Sequence, residues 1–259
     1  MKNILMTLAC AVAALTMIGS PRLMAQTTDD FSDLNDTANP VWTHLNGDVG
    51  STGQTWNAST GQYRLTAPGN ANFPSAPLNA LNGYGLVGSY TGAVSANSTV
   101  SADFVDFPKG VFGVAARLNG LNGINQLTGY GYAYEPFAAA GLGEMVLYQI
   151  TGASLNDIGS QQVTLNPAKD YRFVLDVSGT TITGQVFDLS NGLQVGGKAV
   201  VNAAFASGYG GVFGYTHVSL YDQADFTIDN FAITPEPASA VLIAFGAGAV
   251  GLIRRRRSC

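Results

Sequence analysis

Cysteine is confined to the two ends of the chain, at Cys10 and Cys259. Everything between is thiol-free, which excludes disulfides, cysteine-ligated zinc and a cysteine nucleophile there. Histidine is nearly as scarce. His44 and His217 form no H-x-x-x-H pair, and no Gly-x-Ser-x-Gly elbow accompanies them, so zinc-peptidase and serine-hydrolase constellations are missing. Basic residues are few as well. Residues 26–234 hold six, against sixteen acidic ones, a net charge of −10. A chain that acidic repels phosphate backbones, and nucleic acid is excluded as a partner. The whole-chain charge of −5 hides this, because half of the twelve basic residues lie in the terminal segments. Also missing between residues 26 and 234 is any long apolar stripe of period 3.6, so helix content is expected to be low.

What is present begins at the ends. Lys2 precedes an apolar run over residues 4–18, and Leu23-Met24-Ala25 offers a cleavage site, with Gln26 the first mature residue. Residues 1–25 read as a cleavable secretory signal peptide. Cys10 follows Leu8-Ala9, but it sits too early, and Thr7 is the wrong residue, for a lipoprotein signal. At the other end, Thr234 leads into Pro235-Glu236-Pro237, then an apolar segment over residues 238–253, then Arg254, Arg255, Arg256 and Arg257. At about 1.5 Å per residue such a helix spans roughly 24 Å, short of a hydrocarbon core of about 30 Å. Snorkelling arginines make up part of the difference, and they stay cytoplasmic, so the preceding chain lies outside.

This order of Pro-Glu-Pro, short apolar helix and arginine cluster resembles a PEP-CTERM sorting signal. The resemblance implies recognition by exosortase, a membrane-embedded cysteine protease of Gram-negative bacteria. It also implies transient residence in the inner membrane and delivery to the cell surface or extracellular matrix. Thr234 stands where Val is common. The chain thus divides into a signal peptide (1–25), a body (26–233) and a sorting segment (234–259).

The body reads as strands. Residues 55–57 and 62–66 flank Ser59-Thr60-Gly61, a hairpin pattern. Residues 84–90, 98–107, 111–118, 144–150, 161–165, 211–216 and 224–233 are further strands, and residues 111–118, apolar on both faces, should be central. Tyr130, Tyr132 and Tyr134 alternate with small residues and share one face of another. Tyr171, Phe173, Leu175 and Val177 alternate with Arg172, Val174 and Asp176 up to a Ser178-Gly179 turn. Ile182, Gly184 and Val186 continue on the return strand, an antiparallel hairpin with one wet face. Many short strands joined by turns predict an all-β antiparallel sandwich or barrel. The opening Asp29-Asp30-Phe31, the central hairpin, the Gly-Gly-Val-Phe-Gly-Tyr of residues 210–215 and the closing Asp-Phe-Thr-Ile-Asp-Asn-Phe-Ala-Ile resemble the concanavalin A-like jelly roll and its laminin-G-like branch. That resemblance implies that the first and last strands lie side by side.

Several residues are candidates for chemistry. The Tyr130, Tyr132 and Tyr134 rings, with Asn122 and Asn125 in the preceding loop, suit stacking on sugars and bonding to their hydroxyls; the same ladder equally suits packing between sheets. Asp29, Asp30, Asp225 and Asp229 would form a structural calcium site if the terminal strands pair, since calcium takes six to eight oxygens; no other cofactor is expected. Glycoside hydrolysis requires two carboxylates about 5–9 Å apart. The Glu-x-Asp-x-Glu string of hydrolases with this fold is missing, and the two glutamates of the body, Glu135 and Glu144, are separated by a Gly/Ala loop. The expectation is a non-catalytic surface protein that binds or organises extracellular polysaccharide. The alternatives are a hydrolase working through Asp carboxylates, or a purely structural protein with glycosylated loops.

Overall fold

A computed structural model describes residues 26–46, 53–68, 86–121, 126–136, 142–152, 154–216 and 223–236. The expected signal peptide, Asn122, Asn125, Pro237, the apolar segment 238–253 and the four arginines lie outside these residues. Among the described residues no helix is long and apolar enough to cross a membrane.

Residues Gln26–Pro235 form one compact unit. It is an all-β sandwich of two antiparallel sheets. The strands are β1 (Thr27–Asp29), β2 (Thr43–Asn46), β3 (Thr55–Asn57), β4 (Tyr63–Pro68) and β5 (Leu86–Ser95). Next come β6 (Ser98–Lys109), β7 (Val111–Asn119), β8 (Thr128–Pro136), β9 (Gly143–Thr151) and β10 (Ser154–Val163). The series ends with β11 (Tyr171–Ser178), β12 (Thr181–Asp188), β13 (Leu193–Val201), β14 (Gly208–Tyr215) and β15 (Gln223–Pro235). One sheet runs β13-β12-β11-β6-β15-β4-β3, with β1 beside the later half of β15; the other runs β10-β9-β8-β7-β14-β5-β2.

Side-chain alternation decides which residues fill the space between the sheets. From the first sheet come Val100, Ala102, Phe104, Phe173, Leu175, Val177, Ile182, Phe226 and Ile228. They meet Phe112, Val114, Tyr130, Tyr132, Met145 and Leu147 of the second. The second sheet is also buried on its outer face, where Val111, Ala115, Ala133, Val146, Tyr148, Ile150, Phe213 and Tyr215 cluster. This explains why β7 is apolar on both faces and why it sits in the middle of its sheet.

The two open sides of the sandwich are latched by side chains. On one side Trp56 Nε1 donates to Gly88 O at 2.9 Å, and the His44 ring stacks on Trp56 at 4.4 Å while its Nε2 meets Asp36 Oδ2 at 2.7 Å. On the other, Gly197 N donates to Gln161 Oε1 at 2.8 Å, and Asn202 Nδ2 to Gln149 Oε1 at 2.9 Å.

The terminal strands pair as the jelly-roll resemblance implies, with Thr27 opposite Ile233 and Asp29 opposite Phe231. A bulge makes this register work. The pairing of β15 with β6 slips between Asp229 and Ala232, and Asn230 takes φ 46° there. Ile228 and Phe231 then both face the core, where strict alternation would turn Phe231 outward. Asn230 Nδ2 donates to Asp103 Oδ2 at 3.1 Å, anchoring the extra residue. β15 continues through Pro235, two residues beyond the sequence division at 233/234.

Candidate functional site

The tyrosine ladder of β8 points inward. Tyr130 and Tyr132 are fully buried and Tyr134 is 4% exposed, so the expected sugar platform is corrected: these rings form core. Glycines facing them supply the reason. A Cβ at Gly184 would overlap the Tyr132 ring, and one at Gly143 would overlap the Tyr134 ring. Small residues opposite large ones let the two sheets interlock at interior density. Tyr130 Oη donates to Asn202 Oδ1 at 2.8 Å and accepts from Phe205 N at 3.2 Å, and Tyr134 Oη accepts from Leu165 N at 3.5 Å. The Tyr132 hydroxyl has no hydrogen-bond partner among the described residues, and burial pushes its pKa well up. A buried hydroxyl without a partner costs about 1–3 kcal/mol. Tyr132→Phe is therefore expected to raise the thermal midpoint by a few degrees in calorimetry, while Tyr130→Phe, which breaks satisfied bonds, lowers it.

The four aspartates proposed for calcium do not converge. Asp29 faces inward, with Oδ1 accepting from Phe31 N and Oδ2 from Trp42 Nε1, both at 2.7 Å. Burial is the main cause raising its pKa, against the lowering effect of those two bonds. Asp225 stands on the outer face, four residues and on the order of 13 Å up the strand from Asp229. It is gripped bidentately by Arg64, Nε at 2.8 Å and Nη2 at 2.6 Å. Asp229 Oδ1 accepts from Asn230 N at 2.7 Å, and burial, with Asp103 and Asp30 nearby, raises its pKa. Asp30 is exposed, and bonds from Ser32 lower its pKa. Among the described residues no group of three or more His, Cys, Asp or Glu is placed to hold a metal ion. As a set, the four do not fit calcium.

Beside β1 lies a cleft of about 520 Å³, lined by Asp30, Asp33, Asn39, Arg172 and Asn230 among others; neither Asp225 nor Asp229 lines it. Arg172 is committed there to Asp103, Nε to Oδ1 at 2.6 Å and Nη2 to Oδ2 at 2.8 Å.

A second cleft, of about 350 Å³, opens on the outer face of the second sheet. Its residues follow from the ladder: if Tyr130, Tyr132 and Tyr134 face inward, Glu135 faces out. In the β8–β9 hairpin Glu135 lies directly opposite Glu144, and in the β9–β10 hairpin Tyr148 lies opposite Asp157. Directly opposed residues place their Cβ atoms about 4.5–5.5 Å apart on one face. Glu135, Glu144 and Asp157 bring the polar groups; Val146, Tyr148 and Leu155 bring an apolar floor. The Tyr148 and Tyr215 hydroxyls both donate to Glu135 Oε1. Burial raises the Tyr148 pKa strongly, with Tyr215 and Glu135 adding to it. Glu144 is also raised, mainly by burial and then by Glu135 and Asp157, against a lowering bond from Ser160. Sequence spacing did contain a signal for this site: Glu135 and Glu144 sit symmetrically about a Gly/Ala-rich turn.

Comparison with known proteins bears on the tail and on the fold. Residues 234–257 match the PEP-CTERM protein-sorting motif. No curated protein matches the chain in sequence. Among solved structures, the Ca2+-bound exoplasmic/lumenal domain of VIP36 is similar at a TM-score of 0.54 and 8% identity, covering 82% of this chain and 90% of that one. The CBM2 module of the evolved Dit of Lactobacillus casei BL23 phage J-1 gives 0.50 and 13%, covering 80% and 96%. Basic winged bean lectin, solved with Tn-antigen, gives 0.50 and 9%, covering 81% and 97%. At such identities the likeness establishes the fold. The chain is an exported, membrane-sorted protein that carries a PEP-CTERM sorting motif behind a β-sandwich of the lectin and carbohydrate-binding-module fold.

Proposed function

We propose that this protein is a non-catalytic, carbohydrate-binding component of the cell surface or extracellular matrix, and that it binds neutral or amine-bearing glycan in the Glu135–Glu144 cleft. A signal peptide at residues 1–25 exports it, and exosortase acts on the tail through Pro235-Glu236-Pro237, the helix 238–253 and the arginines. The observation that carries the binding reading is the meeting of three carboxylates, Glu135, Glu144 and Asp157, over an apolar floor in one cleft of small-ligand size. Sugar hydroxyls donate to the Glu135, Glu144 and Asp157 carboxylates over the buried floor of Val146, Tyr148 and Leu155. The negative charge of the cleft disfavours uronic and sulfated chains.

The absence of turnover is read from Glu135. Two tyrosine hydroxyls occupy one of its oxygens and fix the carboxylate in place. The opposed glutamates nevertheless favour one second reading, a retaining glycosidase, whose two carboxyls lie about 5–5.5 Å apart. The earlier Asp-based version is weaker. Asp103 and Asp229 do oppose one another, but Asp103 is bound by Arg172 and Asn230.

Calorimetric titration of residues 26–236 with neutral oligosaccharides tests the reading. Glu144→Gln removes a charge-assisted bond, and affinity is expected to fall about tenfold. The raised Glu144 pKa adds a sign: binding should weaken with falling pH earlier than an ordinary carboxylate would dictate. For stability the sign is opposite. A raised carboxyl costs stability above its folded-state pKa, so Glu144→Gln leaves the fold as stable at pH 7 or slightly more so. Release of reducing sugar that disappears in Glu135→Gln would establish the glycosidase instead.

A further inference from the structure

The sorting motif begins inside the folded sheet. It starts at residue 234, yet β15 runs through Thr234 and Pro235, which pair with Thr99 and Ser98 of β6. Just before them Ile233 is held from both sides. It lies opposite Val100 on β6 and Thr27 on β1, with its side chain 3% exposed. The start of β6 is itself fixed. Ser95 Oγ donates to Asn97 O at 2.6 Å in the preceding turn, and Thr99 Oγ1 donates to Asp176 Oδ1 at 2.7 Å. Ser98 is buried. Glu236, exposed, is the first residue past the strand.

A peptidase takes its substrate as an extended segment whose backbone edge pairs with the enzyme. At Ala232 and Ile233 the strand is paired on both edges and has none to offer; Thr234 and Pro235 are paired on one edge, with β6, and enter a protease cleft only by leaving it. We propose that the sandwich sets the upstream limit of tail removal: the bond broken is Pro235–Glu236 or one beyond it, and the mature protein keeps Thr234 and Pro235. In that step the amide C–N bond breaks. The acyl carbon passes to the enzyme's nucleophile and then to water or an amine acceptor, and the new amine leaves with the apolar segment. A cut further upstream would first require stripping Thr234 and Pro235 from Ser98 and Thr99 and drawing Ile233 out of the core. The sheet end therefore acts as a gate as well as a ruler: while Thr234 and Pro235 stay paired with β6, the start of the motif is withheld from the enzyme.

This inference rests on the reading that the tail is removed in the host, and the test separates the two. The C-terminal peptide of the mature protein from its native host is sequenced by mass spectrometry, for the natural chain and for one with Gly-Ser-Gly-Ser inserted between Ile233 and Thr234. The natural chain is expected to end at Pro235 or later. In pulse-chase the inserted chain, whose motif no longer overlaps the strand, is expected to mature several-fold faster. A natural chain ending at Thr234 or upstream, or equal maturation rates, would overturn the inference while leaving tail removal intact. Retention of Arg254 to Arg257 in both chains would overturn tail removal, and this inference with it.

Discussion

Arg117→Met is expected to lower the stability of the sandwich by about 3–5 kcal/mol, a fall of roughly 8–15 °C in thermal midpoint for a domain of this size. Arg117 is 2% exposed and takes φ 52° at the bulge that ends regular β7–β8 pairing. Its guanidinium donates to Ala96 O, Phe205 O and Gly179 O, each at 2.8 Å. Those three carbonyls belong to the β5–β6 turn, the loop before β14 and the β11–β12 turn, so one side chain ties both sheets together at this end. Asn97 completes the arrangement, accepting from Arg117 Nη2 at 3.5 Å and from Gly179 N at 3.0 Å. Bonds from a charged donor are worth about 1.5–3 kcal/mol each, and methionine fills the space but donates nothing. Lysine, a point charge on a flexible stem, cannot serve three divergent acceptors and should restore only part of the loss. Calorimetry of the purified variants reads both values. A fall of under one degree for Arg117→Met would mean the three loops are held by something else.

Trp42→Ala should cost a similar amount, about 3–5 kcal/mol, as large-to-small core changes do. Trp42 packs against Phe231 at 4.6 Å, Tyr63 at 5.3 Å and Phe31 at 5.8 Å between ring centroids, and its indole N–H satisfies Asp29. This cluster locks β1 onto β15. Losing it removes ring contacts and leaves one oxygen of a buried carboxylate without its donor. Trp42→Phe separates the two contributions, since it keeps much of the packing and loses only the N–H; about 1–2 kcal/mol is expected. Hydrogen exchange gives an independent reading. In Trp42→Ala the amides of β1 should lose protection before those of β11 and β12, and uniform loss of protection would contradict a local role for the lock.

Much of this architecture was legible because burial writes a period of two into the sequence. The β11–β12 hairpin matched residue for residue over Tyr171 to Val186, since one face is core and the other wet. The pairing of the first strand with the last followed from the jelly-roll resemblance. β13 was missed because Leu193–Val201 sits at a sheet edge, with Gly196 and Gly197 at its middle and Leu193 and Val201 exposed, so no alternation marks it. Most of β10 carries no strand signal for the same reason, being polar and at the edge of the second sheet. The direction of the Tyr130, Tyr132 and Tyr134 face was not legible. Period two says that three rings share a face, and only the facing glycines on another strand and a hairpin say which way it points. The calcium expectation had correct strand pairing but wrong placement: Asp29 lies on the inner side, and Asp225, four residues along β15 from Asp229, is occupied by Arg64. The candidate cleft leaves only an indirect signal, because Glu135 and Glu144 are nine apart about a Gly/Ala-rich stretch and become adjacent only once the hairpin register is known.

The proposed glycan site lies on the outer face of the second sheet. Amide chemical-shift mapping of residues 26–236 during titration with neutral oligosaccharides tests it most directly. Saturable shifts are expected in β8, β9 and β10 around Glu135, Glu144 and Asp157, and in Glu144→Gln they should saturate only at about tenfold higher ligand concentration. Shifts confined to the cleft around Asn39, Arg172 and Asn230, or none with any neutral glycan, would contradict it.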